Sequence, residues 1–401
     1  MKHKKTKKRV GKVNPLLYAL VFIIFRLKYA RKYRIKFDKK AVRTMKRPAI
    51  VVATHTCDMD HILSALTLYP IRPTYIVSEH FMHDPSKAKL LKLMHVITKK
   101  MFTPDVSTII NVMRAKKENA VIVIFPEGRL SCYGHTLPIT DGTAELIKKL
   151  GVDLYSWRAE GAYLSFPKWR DKGDSRRGRI NASVKKLLSS EEVEAMDVSA
   201  IRSITEKAIL HDDELAMQSV VYKSRAIAKG VDKILFKCPS CLAEGTITAR
   251  GDRIRCECGL DARLDSTYRL HGAPFDRINE WFEWAQDSID TEHEVLESHA
   301  RLGCCGGDGY MDPHAGEGNI YLDHSVFRLR GHLHGEPIDF EIEPTRIGAF
   351  PITPGDHFDI YHSGVLIYVY PEPDPRSTVK WICFLDKLVA DSHALPVPDA
   401  K

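Results

Sequence analysis

The sequence of 401 residues lacks any hydrophobic segment long enough to cross a lipid bilayer. Its longest apolar run, Leu16–Phe25, covers ten residues, which is about half of what a membrane-spanning helix needs. We therefore expect this run to lie on a bilayer surface, or to dip into it, without crossing. Internal repeats are also missing, so a repeat architecture is not expected. The chain is too long for one ordinary domain, and its 44% hydrophobic content predicts two or three domains with sizeable cores.

Acidic residues are almost absent from the first 47 positions, which contain 18 Lys and Arg but only one acid, Asp38. This segment carries a net charge of +17 against +9 for the whole chain, so the remainder carries −8. Basic residues beside an apolar run are typical of segments that bind anionic membranes. We assign residues 1–47 to a basic, membrane-associating segment, with membrane phospholipids as partners and no nucleic acid expected. A nucleic-acid-binding arm and a secretory signal are the alternatives, although a small-x-small cleavage site is missing.

The run Ala49–Ala53 follows Pro48 and is short and valine-rich, which predicts a buried strand. His55 comes where this strand ends, and the apolar residues from Ile62 onward have helical spacing, so Asp60 falls in the first turn of a helix. A histidine and a carboxylate held together in this way are typical of a general base and the group that orients it. Because the chain contains 18 histidines, this spacing alone is weak evidence for catalysis.

A second apolar run, Ala120–Phe125, also predicts a buried strand that ends directly in polar residues. In open α/β sheets, ligands bind beyond the carboxyl ends of the strands, so both motifs can face one cleft. Gly128 permits a tight turn, Arg129 offers a planar fork for phosphate, and Glu127 can accept hydrogen bonds from hydroxyl groups.

Together, the segment from His55 to Asp60 and the segment Phe125–Arg129 resemble the glycerolipid acyltransferase family, which acylates lysophosphatidic acid and related lysophospholipids. The resemblance covers roughly residues 48–185. Cys57 stands where the family often has serine, and we interpret it as a small spacer rather than as a nucleophile.

The resemblance implies transfer of a fatty acyl group from a thioester, either acyl-CoA or acyl carrier protein, to the free hydroxyl of a lysophospholipid, with 1-acylglycerol 3-phosphate as the favoured acceptor. It implies that His55 takes the hydroxyl proton while Asp60 holds the ring, without an acyl-enzyme. Glu127, Gly128 and Arg129 are the expected substrate-binding residues. The implied location is the cytoplasmic face of the cell membrane, where the protein is peripheral or monotopic.

Between the two motifs, Ser86–Ile97 has the apolar spacing of a helix, and Lys87, Lys89 and Lys92 line its polar side. Bound lipid and a solvated helix face would both explain these lysines. We favour the solvated face, because runs of charge on helices usually face water.

Four of the nine cysteines form two pairs, Cys238 with Cys241 and Cys256 with Cys258, and 14 residues separate the pairs. Two such pairs on hairpins can bring four thiolates to one tetrahedral Zn²⁺, which predicts a zinc ribbon with a structural metal. A disulfide framework is the alternative, but it is not expected on the cytoplasmic side of a membrane. Removal of the metal is expected to unfold this small module.

The C-terminal region has short segments of alternating polarity separated by glycine-containing turns, which predicts a β-rich domain. On pattern alone, this domain resembles pleckstrin-homology-like barrels, with Trp381–Ala390 as the closing helix. Trp281 and Trp284 lie on a predicted helix whose aromatic residues are expected to pack in a core. The alternative is that these tryptophans dock at a bilayer interface. Cys304 and Cys305 are expected to lie in a flexible loop, with a metal site as the alternative.

These patterns predict an α/β fold: an acyltransferase-type core sheet flanked by helices, followed by a zinc ribbon and a β-rich domain. A non-catalytic membrane scaffold that recruits a partner through the ribbon and the β domain is the alternative function. The predicted segments are the basic segment 1–47, the acyltransferase domain 48–185, a helical connector 186–235, the zinc ribbon 236–262, a helical linker 263–315 and the β-rich domain 316–395.

Overall fold

The computed structural model of the chain describes residues 13–100, 105–171, 174, 176–306 and 309–394. These residues form two compact units, and each is described by itself. The first unit contains the described residues up to 131 together with 135–165 and 177–217, and the second contains those of 132–134, 166–176 and 218–394. The first unit is α/β and the second is rich in β-structure, which confirms the predicted fold class.

A seven-stranded sheet forms the centre of the first unit, with the strand order β1-β7-β6-β2-β5-β3-β4. Neighbouring strands run parallel except for β6 and β7. Every residue of β2 and β5 is buried, as expected for short apolar strands in the middle of a sheet covered on both faces. The strands are β1 (Ile35–Asp38), β2 (Ala49–Ala53), β3 (Thr74–Ser78), β4 (Ile97–Lys99), β5 (Val121–Ile124), β6 (Asp153–Glu160) and β7 (Ile180–Leu188).

Helices connect and cover these strands, and Ile147 and Ile201 are fully buried in the main core beside strand residues such as Ile122. Glycines limit one of the connecting helices, because Gly142 and Gly151 have φ angles of 80° and 52° at its two ends. The helices are α1 (Pro15–Phe25), α2 (Lys40–Arg43), α3 (Asp60–Leu68), α4 (Pro85–Leu93), α5 (Val106–Lys117), α6 (Thr143–Leu150), α7 (Ala162–Ser165), α8 (Ser190–Ala195), α9 (Val198–Ile209) and α10 (Asp213–Ala216).

Helix α1 begins after Asn14, whose side chain accepts hydrogen bonds from the first helical N–H groups, and it is followed by a π-helical turn. One side of α1 packs on the unit, with Tyr18 buried and the Phe22 ring 3.7 Å from that of Tyr69. The opposite side presents large apolar residues to the surface. No helix in the described part of the chain has both the length and the apolar character needed to cross a membrane. The exposed apolar residues are Leu16, Leu20, Ile23, Ile24 and Leu27.

The sheet of the first unit includes residues on both sides of segment 48–185, which we predicted as the acyltransferase domain. Ile35–Asp38, inside the predicted membrane-associating segment, forms β1 and pairs with β7. Residues 186–188, which are predicted to begin the helical connector, belong to β7, where Ile180, Ala182 and Val184 are buried at alternate positions. Lysines at 185 and 186 interrupt that alternation, so the sequence of this part of the strand lacks a clear period of two.

The second unit contains two antiparallel sheets, with strand orders β11-β10-β9-β8 and β15-β14-β13-β12-β18-β17-β16. Helix α13 follows β18, and the comparison of this larger sheet and helix with pleckstrin-homology-like barrels stays a prediction. The strands are β8 (Ile247–Arg250), β9 (Arg253–Cys256), β10 (Asp261–Leu264), β11 (Leu270–His271), β12 (Leu296–Cys305), β13 (Met311–Leu322), β14 (Phe327–Leu333), β15 (Glu336–Ile342), β16 (Ile352–Thr353), β17 (His357–His362) and β18 (Val365–Glu372). The helices are α11 (Ile278–Asp287), α12 (Pro344–Ile347) and α13 (Thr378–Ala394).

Two of the expected boundaries in the second unit differ from the structure. The sheet that carries the cysteine pairs continues to His271, and the larger sheet begins at Leu296, inside the segment expected to be a helical linker. Cys304 and Cys305 form the end of β12 rather than a flexible loop. Trp281 is fully buried and donates a hydrogen bond to the Lys237 carbonyl oxygen at 2.9 Å, so it belongs to the core.

Candidate active site

The structure brings the side chains of His55 and Asp60 together beyond the carboxyl end of β2. The Nδ1 atom of His55 lies 3.2 Å from Oδ2 of Asp60. His55 follows the strand directly, and Asp60 is the first residue of α3, as the apolar patterns predicted. About a quarter of the histidine side chain is exposed (24%), whereas the aspartate side chain is almost completely buried (1%). The imidazole is therefore accessible from solution while its carboxylate partner is not.

Asp60 is held by several donors besides the imidazole. Its Oδ2 atom accepts hydrogen bonds from the backbone N–H groups of Thr56 (2.8 Å) and Cys57 (2.9 Å). The Cys57 thiol donates to Oδ1 at 3.1 Å, and burial together with the adjacent Asp60 raises the pKa of that thiol well above its ordinary value. A thiol in this state is a poor nucleophile, which agrees with the reading of Cys57 as a spacer.

The backbone of His55 is fixed by the second motif. Its N–H group donates to Oε1 of Glu127 at 2.7 Å, and its carbonyl oxygen accepts from the Ser131 N–H group at 3.0 Å. The imidazole ring stacks on Phe125, the last residue of the second apolar run, with 4.4 Å between ring centroids. The two motifs thus form one structure, with the second motif positioning the histidine of the first.

Glu127 is buried, and its carboxyl group contacts the backbone of two other segments of the site. Oε1 accepts from the His55 N–H group and Oε2 from the Leu137 N–H group at 2.9 Å, so both carboxyl oxygens are engaged by backbone donors. Burial raises the pKa of Glu127 to about 8, although these two donors and the charge of Arg129 oppose the increase. We expected its oxygens to accept substrate hydroxyl groups. Both oxygens accept from backbone donors, so Glu127 joins three segments of the site, and its contact with substrate stays a prediction.

Gly128 and Arg129 form the turn that follows. Gly128 has a φ angle of 71°, and its N–H group donates to the Phe125 carbonyl oxygen at 3.1 Å, which makes this a tight turn that suits glycine. Arg129 is half-buried, close enough to Glu127 for its positive charge to lower the pKa of that carboxyl group. A guanidinium in the turn that follows Glu127 is well suited to bind an anionic group of a substrate.

A second histidine–aspartate pair in the first unit is a structural contact. Nε2 of His211 lies 2.6 Å from Oδ1 of Asp213, but their side chains are only 3% and 0% exposed. Asp213 also accepts hydrogen bonds from the N–H groups of Gly161 (2.6 Å) and Tyr163 (2.7 Å), which ties α10 to the start of α7. The His211 imidazole is buried, whereas that of His55 is accessible from solution.

Several positioning groups were not found from the sequence. Ser131 and Leu137 act through backbone N–H groups, which leave no signal in residue type. Phe125 is recognisable, because an aromatic residue directly after an apolar strand lies next to the polar turn.

The four cysteines predicted as metal ligands lie together in the second unit. Their Sγ atoms are all within 4.8 Å of one another, with 3.7 Å between Cys238 and Cys258 and 3.8 Å between Cys241 and Cys256. Ligands at the Zn–S distance of about 2.3 Å around a tetrahedral ion are separated by about 3.8 Å, so the cluster has the size of a zinc site. All the cysteines are free of disulfide bonds in the described part of the chain. The cluster could therefore hold a metal ion.

The part of the chain that contains this site matches a known protein family. Residues 34–158 match the family model described as Acyltransferase. This part of the chain is an acyltransferase domain, and it contains both motifs. Among solved structures, the chain is similar to the 1-acyl-sn-glycerophosphate (LPA) acyltransferase PlsC from Thermotoga maritima, with 16% sequence identity and a TM-score of 0.39. That match covers 48% of this chain and 78% of the other.

Proposed function

We propose that the protein is a membrane-associated O-acyltransferase that transfers a fatty acyl group from acyl-CoA or acyl carrier protein to the hydroxyl of a lysophospholipid. The observation that carries the proposal is the accessible His55 imidazole, held by buried Asp60 and by Glu127 within an acyltransferase domain. The favoured acceptor is 1-acylglycerol 3-phosphate. The product is then a diacyl glycerophospholipid.

In the proposed mechanism, His55 is the general base. Its Nδ1 atom faces Asp60, so Nδ1–H donates to the carboxylate and Nε2 remains to accept the proton of the acceptor hydroxyl. The hydroxyl oxygen forms a bond to the thioester carbonyl carbon, and the carbon–sulfur bond breaks. The proton held by His55 then passes to the departing thiolate, which leaves as a thiol. Atoms and charge balance without a covalent enzyme intermediate.

The residues of the second motif have separate roles in this proposal. Arg129 binds the phosphate of the acceptor, because a guanidinium fork matches phosphate oxygens. Gly128 allows the turn that carries the arginine to approach the substrate closely. Glu127 is a positioning residue that fixes the His55 backbone.

A membrane location is supported by α1 and the residues around it. The outward side of α1 carries Leu16, Leu20 and Ile23, which are 80%, 56% and 52% exposed. The first 47 residues also carry a net charge of +17. Apolar and basic groups together favour a peripheral or monotopic position on an anionic leaflet, which we propose is the cytoplasmic face of the cell membrane.

A structural Zn²⁺ is proposed for the cysteine cluster. Cys238, Cys241, Cys256 and Cys258 would hold the ion as thiolates, and four protein ligands leave no open position for water. The metal would stabilise the fold of the second unit and take no part in acyl transfer.

The experiment that tests the proposed reaction is incubation of the purified full chain with a panel of lysophospholipids and glycerol 3-phosphate, with each thioester donor in turn. The masses of the products identify both acceptor and donor. We expect acylation of 1-acylglycerol 3-phosphate. Folded protein that acylates no acceptor with either donor would remove the proposal and favour a non-catalytic scaffold.

A further inference from the structure

The exposed side of helix α4 carries more large apolar residues than is expected for a helix that connects two parallel strands. It connects the parallel strands β3 and β4, and such helices normally bury their apolar side against the strands. Within Pro85–Leu93, all of which the structure describes, Ala88 is the one buried residue. Leu90 and Leu93 are each 47% exposed. Ala88 and the half-buried Leu91 thus face the protein, whereas two of the three leucines of the helix, Leu90 and Leu93, face away from it.

Helical geometry places these residues on opposite sides. Each residue turns the helix by about 100°, so Leu90 and Leu93 share one face and Ala88 lies roughly opposite Leu90. Phe81, in the 3-10 turn before the helix, adds a third large side chain that is 41% exposed. We call the exposed residues Phe81, Leu90 and Leu93, with the lysines described next, the α4 face.

Lysines flank this apolar strip. Lys87 pairs with Asp84 at 3.2 Å and its Nζ atom lies 5.4 Å from the centre of the Phe81 ring. Lys89 and Lys92 are exposed, and no carboxylate among the described residues pairs with either of them. Exposed leucines with lysines on both sides are the pattern of a helix that lies in a membrane interface, where the long lysine side chains reach the phosphate groups.

The α4 face also begins at the edge of the sheet that carries the active site. Strands β2, β5 and β3 are parallel neighbours, so their carboxyl ends lie at one edge. His55 follows β2, Glu127 follows β5, and the turn with Phe81 follows β3. A membrane in contact with Phe81 would therefore lie on the side of the sheet where a lipid substrate must enter.

We infer that the α4 face inserts into the surface of an anionic phospholipid bilayer and gives the first unit a membrane contact in addition to α1. The occupant is a lipid surface, because Lys87 and Lys89 lie on the two sides of an exposed apolar strip and the complementary partner is therefore both apolar and negatively charged. This inference extends the proposed function by placing the active-site edge at the bilayer. It does not require the acyltransferase reaction, and its tests are independent of activity.

Local insertion is tested with the full-length variant Leu90→Trp, which places a fluorophore on the α4 face. Vesicles of phosphatidylcholine and phosphatidylglycerol with brominated acyl chains are expected to quench its added emission and shift it to shorter wavelength. The matched control is Leu210→Trp, at a residue of the first unit that is 60% exposed. Equal quenching of the two variants, or none at Leu90→Trp while the protein is bound to the vesicles, would overturn the inference.

The contribution to binding is tested by cosedimentation of full-length protein with the same lipids without bromine. We expect Leu90→Ser/Leu93→Ser to lower the partition coefficient about tenfold or more, since two large apolar side chains lose their burial in lipid. Leu210→Ser/Leu215→Ser should leave it unchanged, and both variants should unfold at the wild-type temperature, because all four side chains are exposed. Unchanged partitioning of the Leu90 and Leu93 variant would contradict the inference. Quenching at residue 90 in a protein that transfers no acyl groups would keep it and remove the proposed reaction.

Discussion

Asp60 shows how much of the site depends on one carboxylate. Its Oδ2 atom accepts from two backbone N–H groups and faces the His55 imidazole, so a single oxygen sets both the loop conformation and the ring orientation. A general base works only when the correct nitrogen carries the proton, and the buried aspartate selects that tautomer. The catalytic role proposed for His55 therefore makes a prediction at Asp60.

Asp60→Asn is expected to reduce kcat/KM by about 10²–10⁴-fold, because the amide can present N–H rather than oxygen to Nδ1 and so favour the wrong tautomer. The loss should fall mainly on kcat, since Asp60 is buried away from substrate. Steady-state kinetics of the folded variant checks this. A variant with full kcat would show that Asp60 does not orient the base.

Glu127→Gln is expected to destabilise the first unit by about 1–3 kcal/mol, because the amide nitrogen cannot accept one of the two backbone N–H groups that the carboxyl oxygens accept. Loss of this contact should also lower kcat through displacement of His55. Chemical denaturation and steady-state kinetics measure the two effects. Wild-type stability and activity together would exclude the positioning role.

The raised pKa of Glu127 gives this residue a pH dependence with a definite sign. Its pKa rises from the ordinary 4.5 to about 8 in the folded protein, so the folded state holds the proton more tightly than the unfolded chain. The stability from this group is complete below pH 4.5 and is lost as the pH rises through about 8. Denaturation across this range should show the advantage of wild type over Glu127→Gln becoming smaller with rising pH. An advantage that grows with pH would contradict this assignment.

For the individual site residues, the sequence predicted which side chains lie close together but not all of their hydrogen-bond partners. The proximity of His55 and Asp60 followed from a strand end and a helix start. The hydrogen-bond partners of Glu127 did not, because the Leu137 N–H group comes from a loop whose course residue types alone do not determine. A carboxylate available for substrate and one used by the backbone have the same sequence pattern.

Among the elements, apolar strands were predictable and charged strands were not. β2 and β5 are continuous apolar runs, and both were located from the sequence. β7 contains Lys185 and Lys186, and its last three residues belong to the predicted helical connector. β12 lies in a stretch that was predicted as a helical linker. Its sequence contains glycine and small residues, which obscure the alternation of buried and exposed positions. Tertiary pairing determines such strands more than local preference does.

The cysteine-containing sheet is more closely tied to the rest of the second unit than a separate small module would be. The Arg376 guanidinium donates to the carbonyl oxygens of Gly245 and Ile247 at 3.0 Å each. Lys380, which is largely buried, pairs with Glu244 and Glu294. The metal should therefore stabilise more of the second unit than the ribbon alone.

Removal of the metal by a strong chelator is expected to unfold the ribbon and to increase hydrogen exchange in α13 as well, since Arg376 and Lys380 join the two. Structural zinc contributes about 10 kcal/mol or more to folding, so the effect should be large. Exchange mass spectrometry and elemental analysis measure it. Cys258→Ser should lose zinc, whereas Cys305→Ser, outside the cluster, should keep it. A preparation without zinc and with unchanged exchange would refute the metal site.

Across the whole molecule, charge is divided unequally: the first 47 residues carry +17 and the remainder −8. Electrostatic attraction between this basic segment and an anionic membrane is screened by salt, with a Debye length of about 10 Å at 0.1 M. Vesicle binding should therefore weaken steeply with rising ionic strength and level off where apolar contacts from α1 and the α4 face dominate. Cosedimentation over a salt series measures this. Binding that does not depend on salt would exclude a role for the basic segment.

The central claim is that His55 is the base for acyl transfer, and the most direct measurement is product formation by purified His55→Ala beside wild type. Thioester donor and 1-acylglycerol 3-phosphate are supplied, and diacyl product is quantified by mass. His293→Ala, at a surface histidine whose side chain is 79% exposed, serves as the matched control. We predict that wild type and His293→Ala form product, and that His55→Ala folds normally but forms none above background. A folded His55→Ala protein that forms product at the wild-type rate would contradict the account.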